Sequence, residues 1–114
     1  LIYTHNQPTQ EQYEAYIDDM LTQRNLADVY YALNTFNISA VDNEVSIGHN
    51  EVAKIQIPTL ILYGERDYVV GESMTNEIIE DFEGRAQVVK LSNCGHSALI
   101  DDLPQLVEAV EHFI

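Results

Sequence analysis

Apolar residues recur along the chain with two different periods, and the change of period divides it. Between Pro8 and Gln23 the apolar positions are Tyr13, Tyr16, Ile17, Met20 and Leu21. That i, i+3, i+4, i+7, i+8 spacing is one stripe of an α-helix. Thr9 followed by Gln12 predicts a capping box, and Glu11 and Glu14 sit toward the positive end of the helix dipole. Leu26, Val29, Tyr30, Leu33 and Phe36 predict a second helix from about Leu26 to Ser39, with Asn25 at its N-cap. Val41 to Asn50 has no period and reads as a loop, with room for one helical turn at Glu51–Lys54.

From there the pattern alternates strand and helix. Ile57 to Tyr63 is apolar almost throughout, as expected of a strand covered on both faces in a parallel sheet, with Pro58 tolerated at the strand start. Glu72 to Glu83 predicts a helix with Met74, Ile78, Ile79 and Phe82 inward and Gly84 at its stop. Gln87 to Leu91 predicts a second strand. Pro104 to Ile114 predicts a last helix, with Leu106, Val107, Val110, Phe113 and Ile114 inward. The order α, α, loop, β, α, β, α gives an α/β class with a short parallel sheet and a right-handed crossover. It divides into a helical segment, residues 1–50, and an α/β segment, residues 51–114.

Composition and charge narrow the function. With 19 acidic against 5 basic residues the formal net charge is −14. Nucleic acid is not an expected partner, because neutralising phosphates takes clustered Lys and Arg. No run of apolar residues is long enough for a transmembrane helix, no leader pattern is present, and the single cysteine, Cys94, cannot form an internal disulfide. No membrane partner and a cytoplasmic location are the expectations. Leu1 rather than Met opens the sequence, so the chain reads as a piece of something longer.

The candidate chemistry sits after the two strands, since ligands of open α/β sheets bind beyond the carboxyl ends of the strands. Gly64-Glu65-Arg66-Asp67 follows the first, and Asn93-Cys94-Gly95-His96-Ser97 the second. Adjacent parallel strands would bring Asp67 and His96 together as a hydrogen-bonded acid and base. The aspartate would take the Nδ1 proton, leaving Nε2 free toward a nucleophile. Taken singly, Asp67 also suits a turn and His96 an ordinary surface loop. Cys94 reads as a small buried residue, Ser73 as a first-turn helix residue, and His112 as a helix-surface residue. Asp18-Asp19 and Asp101-Asp102 read as solvated faces or caps. Asn37-Ile38-Ser39 matches a glycosylation sequon, read here as chance.

Residues 55–114 resemble the C-terminal part of the α/β-hydrolase fold. Ile57-Pro58-Thr59-Leu60, followed by Gly64-Glu65-Arg66-Asp67-Tyr68-Val69-Val70, looks like that family's penultimate strand and acid loop. Gly95-His96, then Pro104 and Phe113-Ile114, looks like its histidine loop and last helix. The resemblance implies that Asp67 and His96 are the catalytic acid and base of a serine esterase or lipase-like enzyme acting on a small acyl or ester substrate. It implies no metal or organic cofactor. It also implies that residues 1–50 belong to a lid. The G-x-S-x-G nucleophile turn is absent. Gly71-Glu72-Ser73-Met74-Thr75 lacks its second glycine and follows the acid instead of preceding it.

The expectation is therefore an incomplete α/β-hydrolase, inactive alone, whose nucleophile (Ser, Asp or Cys) lies elsewhere. The alternative is a non-catalytic binding or interaction module of the same ancestry. A missing neighbour beside Ile57–Tyr63 would leave an open sheet edge, and Leu60, Ile61 and Leu62 would each forgo roughly 1.5–3 kcal/mol if left wet. Homo-oligomerisation through that edge is expected.

Overall fold

The computed structural model describes residues 3–114. The chain forms two compact units: Thr9–Ile55, and residues 3–8 together with Gln56–Ile114.

The first unit opens with helix α1, Gln10–Thr22. Both halves of the predicted capping box are made: Gln12 N–H donates to Thr9 Oγ1 at 3.2 Å, and Thr9 N–H donates to Gln12 Oε1 at 2.9 Å. Helix α2 runs from Leu26 to Thr35, four residues short of the predicted end at Ser39. The cause is Asn37. Its side chain is buried, accepts from Ser39 N–H at 3.1 Å and donates to the Val41 carbonyl at 2.9 Å. Asparagine here offers the backbone a turn in place of another helical residue. Those bonds also keep the Asn37 amide occupied inside the unit. Asn25 stands at the N-cap position but its side chain makes no capping bond. Glu51–Lys54 forms a single 3₁₀ turn that carries the fully buried Val52.

The second unit holds the sheet. Strands β1, Thr59–Gly64, and β2, Ala86–Leu91, pair in parallel, from Thr59 opposite Ala86 to Gly64 opposite Leu91. Helix α3, Glu72–Asp81, connects them. The mixed α/β class and the parallel pairing read from the alternation are thus present. The register has a consequence for function, because it ends both strands level, with Gly64 and Leu91 side by side, and so starts the two polar loops from the same place.

The burial pattern departs from the periodicity in places. Phe82, Leu91 and Cys94 form the buried apolar centre of this unit. On α3 it is Thr75 that is buried, while Met74 is exposed. The end of α3 is a left-handed turn, with Glu83 at φ 49° and Gly84 at φ 79°. A short helix absent from the sequence reading, α4, covers Ala98–Asp101. Helix α5, Leu103–Phe113, follows, capped by Asp102, whose Oδ1 accepts from Gln105 N–H at 3.0 Å. On its predicted inward face Leu106 and Phe113 are half-buried, but Val107, Val110 and Ile114 are exposed. No helix among the described residues is long and apolar enough to cross a membrane.

Candidate functional site

The site is built where β1 and β2 end. Beyond Gly64 the chain turns back over the β2 exit: Glu65 N–H donates to the Leu91 carbonyl at 2.9 Å, and Arg66 N–H to the Cys94 carbonyl at 2.8 Å. Only glycine fits at position 64, because a Cβ there would run into the carbonyl oxygens of Cys94 and Gly95. Gly64→Ala must therefore part the two loops. The expected cost is about 1–3 kcal/mol of stability, measured by denaturant unfolding, and an unchanged midpoint would contradict this packing.

This close approach delivers Asp67 to His96. Asp67 Oδ2 lies 2.9 Å from His96 Nδ1. The other carboxylate oxygen, Oδ1, accepts from the backbone N–H groups of Val69 at 2.8 Å and Val70 at 2.9 Å. The acid is shielded, with 11% of its side chain accessible, whereas the His96 side chain is 41% accessible. Burial by itself would raise the Asp67 pKa. The Val70 amide, the His96 ring and the Val69 amide outweigh it and hold the carboxyl below its ordinary value. A carboxylate facing Nδ1 leaves the ring proton on that nitrogen and Nε2 as an acceptor toward solvent. Chemically, the arrangement can take a proton at Nε2 and stabilise the resulting imidazolium.

Lipase 3 of Moraxella sp. (strain TA144) is 34% identical to this chain over 50 residues. The match takes in 44% of the chain and 16% of the lipase's length, so the chain spans under a fifth of that protein. No protein-family profile matches. The likeness to Lipase 3 supports a hydrolase-like ancestry.

The remaining polar residues sort by their contacts. Glu65 lies 4.0 Å from Arg66 and accepts from Asn93 N–H at 3.2 Å, so it fastens the two loops together. Cys94 is fully buried, and burial, then the charges of Asp101 and Asp102, push its thiol pKa up. It has the character of a packed core residue and not of a thiolate. Ser73 is exposed in the first turn of α3, and His112 is exposed with Nδ1 2.8 Å from the Glu108 carbonyl, within its own helix. Among the described residues no group of three or more His, Cys, Asp or Glu side chains is placed to hold a metal ion. The cavity that Asp67 borders, lined also by Tyr63, Thr75 and Lys90, measures about 50 Å³. Small-molecule pockets run to roughly 300–1,000 Å³, so this one is too small to receive an ester.

Two participants escape the sequence reading. Tyr3 stacks obliquely on His96, ring centroids 5.8 Å apart at 59°. Asp101, read from sequence as part of a solvated or capping pair, instead turns its carboxylate into the loop that carries His96. Asp102 alone performs the capping. No local period signals the Tyr3–His96 contact or the bonds of Asp101 to His5 and Asn6, because each joins residues more than ninety positions apart in the sequence.

Proposed function

We propose that this chain carries the acid and base of an α/β-hydrolase of the serine esterase or lipase-like type, and that the nucleophile comes from sequence beyond these residues. In this reading His96 Nε2 takes the proton from the attacking hydroxyl and returns it to the leaving alcohol. Asp67 fixes the ring and balances the imidazolium. The substrate is a small ester or related acyl compound, and the tyrosine-bearing helices α1 and α2 belong to its lid. The observation that carries the proposal is the 2.9 Å contact between a shielded, doubly amide-bonded Asp67 and the solvent-reaching His96 at the level ends of two parallel strands. The 50-residue likeness to Lipase 3 supports it.

The test is covalent labelling of the full-length protein with a fluorophosphonate. Peptide mapping is expected to find the adduct on a serine outside these 114 residues. An adduct on Ser73, or measurable p-nitrophenyl ester hydrolysis by the 114-residue chain alone, would overturn the proposal.

A further inference from the structure

Asp101 sits at the end of α4, five residues after His96, and its carboxylate gathers three backbone amides. Oδ2 accepts from Gly95 N–H at 2.6 Å and from His5 N–H at 2.8 Å, and Oδ1 accepts from Asn6 N–H at 2.6 Å. Asn6 Nδ2 also donates to the Asp101 carbonyl at 3.2 Å. The same stretch grips the other side of the histidine, with Ser97 N–H donating to the Tyr3 carbonyl at 2.7 Å. The amides on both sides of His96 are thus tied down, one through a carboxylate and one directly. The fit is tight: a Cβ on Gly95 would come within 3.0 Å of His5 N and 3.1 Å of the Tyr3 carbonyl oxygen.

Neither partner holds itself in place by regular structure. Residues 3–8 form neither helix nor strand, and the turn at 92–97 lies between β2 and α4. Gln105, Glu65 and Arg66 hold the first half of the turn, at Ser92, Asn93 and Cys94, while the Asp101 carboxylate takes Gly95 N–H together with two amides of residues 3–8 and so joins the histidine end of the turn to that stretch. An ionised carboxylate accepting amide hydrogens makes charge-assisted bonds, which are short and direction-sensitive.

We infer that Asp101 is a positioning residue for His96, its carboxylate clamping the Gly95-His96-Ser97 turn onto residues 3–6 so that the imidazole stays in line with Asp67. The inference rests on the proposed role of the Asp67–His96 pair and adds to it a second carboxylate, which touches neither substrate nor the His96 ring. Asp101→Asn keeps the shape but turns one amide acceptor into a donor. That oxygen's backbone partners are then left facing an N–H group.

The experiment compares wild-type and Asp101→Asn full-length protein in p-nitrophenyl butyrate hydrolysis, together with the proton resonance of the His96 Nδ1–H group in ¹⁵N-histidine-labelled material. A base misplaced by a fraction of an ångström is expected to lower kcat about 10- to 100-fold with KM within about twofold, and to weaken or broaden the Nδ1–H resonance. Wild-type kcat and an unchanged resonance in a folded Asp101→Asn protein overturn the inference while leaving the acid–base reading intact. That reading fails separately if His96→Ala keeps its turnover. Should Asp101→Asn not fold, Gly95→Ala presses on the same contact from the opposite side. It is expected to lower kcat with the same spectral change, and wild-type behaviour in it overturns the inference equally.

Discussion

His96→Ala in the full-length protein should lower kcat for a p-nitrophenyl ester by about 10⁶-fold, the scale found when the base of a serine triad is removed. That is about 8 kcal/mol of transition-state stabilisation at 1.36 kcal/mol per tenfold. The expectation follows from where the ring stands. Nδ1 is engaged by Asp67, so Nε2 is the nitrogen left to move a proton, and the ring is open enough to solvent to meet a reactant. The same openness keeps the structural cost small. The ring contacts Asp67 and Tyr3 but fills no core position, so the thermal midpoint should stay close to wild type. Turnover within tenfold of wild type would remove His96 from the chemistry.

The second large effect is Asp67→Asn, expected to lower kcat by about 10⁴. The direction the new amide takes is fixed by its neighbours. The Val69 and Val70 N–H groups demand an acceptor at Oδ1. The amide nitrogen is therefore forced into the Oδ2 position, facing His96 Nδ1. Two donors cannot face each other, so the imidazole carries its proton on Nε2, the wrong tautomer for a base. The substitution also changes acid stability. The folded pKa of Asp67 is depressed, so its contribution to stability is complete above the ordinary carboxyl value of about 3.9 and is lost as pH falls through the folded value. The wild-type midpoint should drop through that window, and Asp67→Asn should flatten part of the fall. An equally steep acid limb in the variant would contradict the lowered pKa.

How much of this was legible in the sequence depends on the range of the interaction. The capping box at Thr9 and Gln12 lies within one helical turn and is read directly. The strands were readable from apolar runs bounded by Pro58 and Gly64, and the meeting of Asp67 with His96 follows from parallel pairing. The end of α2 was not legible, because Asn37 favours a turn only where its side chain finds the Val41 carbonyl. Thr75 replaces Met74 in the interior because it falls on one helical stripe with Ile78, Ile79 and Phe82, at i, i+3, i+4 and i+7, and that stripe is the one that faces inward. Val107, Val110 and Ile114 follow a helical period yet stay exposed, since a period predicts a face and not what will cover it. Asp101 was the largest omission. A pair of acidic residues before a proline looks like a cap, and nothing nearby reveals that the first of them serves amides from the opposite end of the chain.

That opposite end also decides where the chain tolerates a change of length. Residues 3–8 and Gln56–Ile114 belong to one unit, and Thr9–Ile55 is an excursion whose entry and exit are both anchored in it. Changing the length of an excursion between fixed ends is cheap, about 0.6 kcal/mol for each doubling of a flexible loop. The histidine brace lies wholly on the anchored side of that junction. A longer or shorter excursion should therefore leave the Asp67–His96 contact and the bonds of Asp101 in place, because every residue that makes them lies in residues 3–8 or Gln56–Ile114.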